Sequence, residues 1–203
     1  QQAARRCKCS IHELCHGALA GKPEGRYLEK LRTIHDASVN MVNKWIQNNL
    51  AEKTTAPALH DLLTALHILS DEHVTLLKID VTKAHRRIKI RKRDWKYITA
   101  KLGDEVWVNK CGTYGVSSAQ YYWGRMAAML LRLLYALYPQ IRWAFVYVDD
   151  YIFILRSDTS TQLTMAIVTT LYAMGCPISW KKTCLGEGNH WLGSQVDAPR
   201  LTA

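Results

Sequence analysis

Asp149 and Asp150 stand side by side in an otherwise apolar run, "YVDDYIFIL", over residues 147–155. Adjacent carboxylates repel, and a chain seldom buries one unless it is paired or bound to a metal. Two readings are open at this point. Asp is common where two strands reverse, so the pair could mark no more than a hairpin turn. The other reading is half of a cation site that needs a further oxygen ligand. Mg²⁺ takes hard oxygen ligands, usually one or two carboxylates together with substrate phosphates. Two such ions about 3.5–4 Å apart clamp the attacking and leaving oxygens of an in-line phosphoryl transfer. Asp80 in "LLKIDVTKAHRRI" is the best further carboxylate. It ends an apolar strand and precedes a basic segment, so an antiparallel neighbour can set it beside Asp149.

Two other clusters have chemical potential. The segment "KAHRRIKIRKRDWK" (83–96) holds eight Lys and Arg among 14 residues, including Arg86, Arg87, Lys89 and Arg91. Salt-sensitive phosphate contact is the functional reading, and a solvated strand face is the plain one. Trp95, Trp107, Trp123 and Tyr122 have the ring types that stack on bases, although core packing is the commoner use of any one of them. Near the N-terminus, "CKCSIHELCH" gathers Cys7, Cys9, His12, Cys15 and His16. These are zinc-ligand types, but the spacing matches no common finger and no distal pair completes it. Free thiols or a partner-bound arm are the competing readings.

The elements that must position these residues follow from periodicity. Helices are expected over 37–50, 57–69, 117–138 and 162–174, the last ended by Gly175 just past its C-terminus. "VTLLKIDV" (74–81) reads as a mostly buried strand. "HRRIKIRKRDW" alternates like a half-exposed strand around Ile88 and Ile90. "DEVWVNKCGTYG" suggests short strands before a Gly-bounded turn. "WAFVYV" and "YIFIL" flank the Asp pair as a hairpin, and "PISW" and "WLGSQVD" close the chain as short strands. This order gives an α+β fold with an antiparallel sheet packed on helices.

Composition sets the frame. Of 203 residues, 48% are hydrophobic and 22% charged, as in an ordinary globular domain with a real core. The 27 Lys and Arg against 17 Asp and Glu give a net charge of +10, which favours a polyanionic partner such as nucleic acid. The longest apolar stretch, 126–138, is 13 residues and carries Arg132, which suits a buried helix rather than a membrane span. No secretory signal is evident, so an intracellular setting with six reduced cysteines is expected, and no membrane partner.

The segments "KIDVTKAHRRI", "GTYGVSSAQ", "YVDD", "GCPISWKKT" and "WLGSQVD", in this order, resemble successive motifs of reverse transcriptase palm domains. "LRTIHDASVNMVN" resembles the preceding fingers segment, and the wording is closer to retroelement-derived sequences than to retroviral enzymes. The resemblance spans roughly residues 26–197. It implies a right-hand polymerase fold: a lead-in over 1–25, a fingers-like segment over 26–75, and a palm over 76–203 with fingers elements interleaved at about 86–112.

By the same resemblance, Asp80, Asp149 and Asp150 are the catalytic carboxylates. Asp80 and Asp149, with the Val81 carbonyl and Asp150 beside them, would bind two Mg²⁺ or Mn²⁺ ions. Arg32 matches the fingers Arg on the incoming triphosphate, and Lys182 the Lys near that triphosphate. Gly115 and Gln120 fall in the segment lining the nucleotide pocket. Tyr147 of the Asp box and the basic residues 86, 87, 89 and 91 would meet an RNA or DNA primer–template, with dNTPs as the other substrate.

Three positions depart from the family pattern. His85 stands where a Tyr or Phe rejects the ribose 2′-hydroxyl, which leaves sugar selectivity open. Thr113 and Gln120 replace the prolines that bracket the Gly115 motif. No thumb, connection or RNase H segment is evident after residue 197, so further domains or subunits would have to supply a grip on primer–template. The expected function is template-directed nucleotidyl transfer. The alternative is a domesticated reverse-transcriptase-like domain, serving without turnover as a nucleic-acid-binding or structural subunit of a larger assembly.

Overall fold

The computed structural model describes residues 37–38, 41–50, 52, 55–102 and 104–199. The elements in chain order are α1 (Val42–Asn49), α2 (Leu59–Ile68), β1 (Val74–Asp80), β2 (Thr99–Leu102), β3 (Glu105–Val108), α3 (Ser117–Leu137), β4 (Trp143–Tyr147), β5 (Asp150–Arg156), α4 (Ser160–Ala173), β6 (Cys184–Gly186), β7 (Gly188–Trp191) and β8 (Ser194–Asp197). Short 3-10 turns cover Ala84–Arg87, Lys92–Tyr97 and Trp180–Lys182. The α+β architecture with an antiparallel sheet is as the sequence leads one to expect. The chain forms two compact units, one of residues 1–53 and 85–122, the other of 54–84 and 123–203.

The second unit is built on a four-stranded sheet in the order β4-β5-β1-β6, antiparallel at every described pairing. Pleating sends alternate residues to opposite faces. One face carries Val74, Leu76, Ile152 and Ile154, packed with Leu62, Ala65, Leu66 and Leu69 around α2 and with Trp191 and Val196 of the β7–β8 hairpin. The other carries Leu77, Ile79, Tyr151 and Phe153, all fully buried. Tyr151 and Phe153 stack with near-parallel rings, and the Tyr151 hydroxyl donates to the Ala127 carbonyl of α3 at 3.4 Å. A strand covered on both faces reads as a continuous apolar run. That is why Tyr151 to Leu155 are buried without a break.

Helix α4 ends as expected at Gly175, whose φ of +77° is open to glycine. The Gly175 and Cys176 amides bond back to the Tyr172 and Leu171 carbonyls, a Schellman closure. In the first unit, Ala37, Ile98 and Val116 form a small core with Val42, Ile46 and Ile90 against it, and β2 and β3 make a two-stranded hairpin. No disulfide joins Cys111, Cys176 and Cys184. Among the described residues no helix is long and apolar enough to cross a membrane.

Three local expectations are corrected. The basic stretch 83–96 is not a strand: apart from an isolated bridge from Lys89 to Cys111, it is two 3-10 turns. "PISW" contributes only a bridge from Ile178 to Val81 before turning at Trp180. "WLGSQVD" is two strands rather than one, because Leu192 and Gly193 both take positive φ and reverse the chain between Trp191 and Ser194. That pair of left-handed residues matches the twist of a two-residue hairpin.

Candidate active site

The β1–β5 register pairs Lys78 with Ile152, Leu76 with Ile154 and Asp80 with Asp150. Directly opposed residues share a face, with Cβ atoms about 4.5–5.5 Å apart. Asp80 and Asp150 therefore emerge together at one end of the two central strands. Asp149 lies in the two-residue loop that joins β4 to β5, where Tyr147 pairs with Asp150. The Val81 amide donates to the Asp149 carbonyl at 2.9 Å, extending the β1 side of the ladder into the loop. In extended backbone the N–H and C=O of one residue point the same way, so the Val81 carbonyl faces that loop too.

The loop is strained. Val148 has φ of +56°, the first central position of a turn that glycine normally fills. A β-branched residue there is a genuine outlier, costing on the order of 1–3 kcal/mol. Trp123 of α3, itself buried, donates its indole N–H to the Val148 carbonyl at 2.6 Å. Packing around the indole thus fixes the peptide that aims Asp149.

Two ammonium groups enter the cluster. Lys182 donates to Asp80 Oδ2 at 2.7 Å. That hydrogen bond, reinforced by the charges of Asp80, Asp150 and Asp149, holds the Lys182 ammonium above the usual lysine range, against partial burial. Lys78 lies diagonal to Asp150 on the shared face, its Nζ 3.9 Å from Asp150 Oδ1 and bonded to the His190 carbonyl of β7 at 2.8 Å. Burial pushes the Asp150 carboxyl up from the ordinary carboxylate range; Lys78 opposes this, and Asp80 and Asp149 add to it.

Asp80 is 5% exposed, and Asp150 Oδ1 is buried with no hydrogen-bond partner. An orphaned buried carboxylate oxygen beside two more carboxylates and a backbone carbonyl is a hard-oxygen donor set, which fits Mg²⁺ or Mn²⁺. Among the described residues no three His, Cys, Asp or Glu side chains are placed to hold one metal ion, and Lys182 occupies an Asp80 oxygen that a cation would need.

Of the residues expected at the nucleotide, His85, Gly115 and Gln120 line one cleft of about 250 Å³ in the first unit, with Thr113, Tyr114 and Val116. His85 meets Tyr114 edge-on at 5.7 Å. Gly115 has φ of +91°, and its carbonyl accepts from Asn43 at 2.7 Å. The same Asn43 side chain accepts from the Ser117 amide at 2.9 Å, so it caps the start of α3. Arg86, Arg87 and Lys89 line a second cleft in this unit, and Arg91 is exposed just before the Lys92–Tyr97 turn. Tyr147 is exposed at the end of β4. Arg32, Cys7, Cys9, His12, Cys15 and His16 lie outside the described residues.

Sequence reasoning missed Lys78 beside the carboxylates and Asn43 beside the cleft of the first unit, and it named Trp123 only as a stacking or core ring. Lys78 had a readable signal, since it stands two before Asp80 in a strand and so shares its face. The bonds of Asn43 and Trp123 had none, because their partners are backbone groups far along the chain.

No protein-family model matches this sequence, and no curated protein matches it. Solved structures do match. A foamy viral protease-reverse transcriptase in complex with double-stranded DNA superposes with a TM-score of 0.65 at 18% identity, covering 98% of this chain and 31% of that one. The fold is reverse-transcriptase-like. The native prototype foamy virus protease-reverse transcriptase gives 0.65 at 16%, covering 94% and 23%. The complex of the foamy viral enzyme with an RNA/DNA hybrid gives 0.61 at 19%, covering 83% and 21%. The chain spans about a third or less of these proteins. Within this reverse-transcriptase-like fold, the strand ends that bring Asp80 and Asp150 together belong to the two central strands of the sheet.

Proposed function

We propose that the chain is the core of a template-directed polymerase of reverse-transcriptase type, transferring nucleotides from dNTPs to a primer on an RNA or DNA template. The observation that carries this reading is the opposition of Asp80 and Asp150 at adjacent strand ends, with Asp149 in the strained loop between β4 and β5. On this reading the second unit is the palm and the first is the fingers.

Asp80, Asp149 and Asp150, with the Val81 carbonyl, are the residues that would hold two Mg²⁺ or Mn²⁺ ions. When bound, the ions lower the pKa of the primer 3′-hydroxyl and neutralise the departing pyrophosphate. Lys182 exchanges Asp80 for the triphosphate, and Arg32 grips the same group with its guanidinium fork. His85, Gly115 and Gln120 shape the pocket for sugar and base, where His85 is a flat ring that also adds a hydrogen-bonding group. Tyr147 and the basic residues 86–91 meet the nucleic acid.

A primer-extension assay with Mg²⁺ and dNTPs tests this reading, with the chain alone and within any longer polypeptide that carries it. Incorporation is expected with the wild type and a loss of at least a hundredfold with Asp149→Asn. Equal signals, or none from either on RNA and on DNA templates, would refute it.

One observation favours a second reading, that of a nucleic-acid-binding or structural subunit without turnover. Lys78 and Lys182 already compensate the carboxylates from within the chain, as a site that never takes up metal would require. The same assay separates the two.

A further inference from the structure

Strand β3 of the first unit is apolar and lies open. Val106, Trp107 and Val108 are 65%, 58% and 41% exposed, and the remaining residue, Glu105, also faces solvent. Pleating puts Trp107 on one face of the β2–β3 hairpin and both valines on the other, so neither face of the strand is covered. Among the described residues β3 pairs only with β2, which leaves its second edge free. A lone two-stranded hairpin is marginal in water and gains stability from further strands. Free edges are usually blunted by charge, proline or a bulge. After Glu105 this strand carries no charge and no proline, and its register with β2 runs without a bulge.

The register defines what the free edge offers. Leu102 and Glu105 are partners across a two-residue connection, and such a closing pair exchanges both hydrogen bonds. Bonding alternates along an antiparallel ladder, so Glu105 and Trp107 point their N–H and C=O groups at β2. The Asn109 amide continues the alternation, donating to the Ile98 carbonyl at 3.1 Å. Val106 and Val108 therefore direct their backbone groups outward, two donors and two acceptors with no partner among the described residues.

The sequence along this edge is complementary to itself. "DEVWVNK" (104–110) is acidic at its start, basic at its end, and has one valine on each side of Trp107. We propose that β3 is the contact surface for a second copy of this chain, the two strands joining antiparallel about a two-fold axis at Trp107 into one four-stranded sheet. Val106 of each copy then opposes Val108 of the other, and their outward backbone groups close four hydrogen bonds. The two Trp107 side chains meet in a non-hydrogen-bonded pair, with Cα atoms about 4.5 Å apart and side chains at their closest. Asp104 of each copy comes opposite Lys110 of the other, and opposite charges so placed attract. Moving the axis to either valine would set Trp107 against Glu105 or Asn109 and lose these pairings. Such a contact is isologous, so it closes at two copies. It uses neither the carboxylates of the second unit nor a nucleic acid, and it stands or falls apart from the polymerase reading.

Strands this short bury less than the roughly 1,600 Å² of a standard interface, so the association is weak and concentration-dependent. Sedimentation velocity over roughly 1–300 µM suits an interface of that class and is expected to show a monomer–dimer equilibrium. Trp107→Glu sets two carboxylates opposite each other and weakens the dimer about tenfold or more, whereas Trp107→Phe keeps most of the affinity. Val106→Pro removes an outward N–H that β2 does not use, and weakens the dimer to a similar degree. Circular dichroism confirms that each variant is folded. Cross-linking reads the register. Trp107→Cys oxidised with diamide gives a disulfide between the two copies of position 107, because opposed Cα atoms fall within the span of about 4.4–6.8 Å that a disulfide allows. Val106→Cys gives none, because its own copy lies two residues out of register.

A monomer throughout the concentration range would overturn the proposal. So would a dimer indifferent to Trp107→Glu or to Val106→Pro, which would place the contact elsewhere. A disulfide at position 106 as abundant as that at position 107, with peptide mass spectrometry locating both, would overturn the register and with it the proposal.

Discussion

Lys182 places its ammonium where a cation at Asp80 would have to sit, 2.7 Å from Oδ2. The ion pair is half open to solvent on the lysine side, so water screens much of its strength. A swing of this side chain is therefore a small cost for metal entry. Lys182→Met is expected to raise Mn²⁺ affinity about tenfold, measured by the loss of the free-ion electron paramagnetic resonance signal. Unchanged affinity would mean that Lys182 does not compete for Asp80. The residue scale was only partly legible. "YVDD" could be read as a hairpin with its carboxylates at the turn, and Asp80 as the carboxylate that an antiparallel neighbour sets beside them, and the register places them so. The left-handed φ of Val148 could not be read, since a β-branched residue is among the least expected at that turn position. Here tertiary bonds to Trp123 overrule local preference.

Elements convert these residues into a site. Strand β1 is legible because five of its seven residues are buried, an apolar run that ends at Asp80, and α3 and α4 because their apolar spacing persists over 21 and 14 residues. The basic segment misled because Ile88 and Ile90 alternate with charges as a strand does. Its backbone instead turns twice, pulled by contacts from residues 110–112 that no local pattern announces. Two changes test how elements hold the site. Trp123→Phe removes the indole N–H from the Val148 carbonyl and leaves a small void at a buried position, and should cost at least about 1–3 kcal/mol in chemical denaturation. A cost near zero would show that the indole bond does not hold the loop. Gly112→Ala would drive a methyl group into the His85 carbonyl, a backbone atom that cannot swing aside. The expected result is a large loss of stability together with a disturbed His85, read by denaturation and by the histidine ring resonances. Wild-type stability there would contradict the close approach.

Across the whole molecule, the net charge of +10 raises the expectation of a polyanionic partner, and part of that charge lines the cleft of residues 86–111. The clustered carboxylates belong to one unit and a cleft of about 250 Å³ to the other. Composition does not change where the chain passes between the two units, so their bounds could not be read from it. The central claim is that the carboxylates of Asp80, Asp149 and Asp150 serve template-directed synthesis. It is tested most directly by single-nucleotide incorporation on four primer–templates that differ only in the templating base. The account predicts that the nucleotide added follows the template in each case, and that Asp149→Asn abolishes all four signals. Incorporation that ignores the templating base, or that persists in Asp149→Asn, would contradict it.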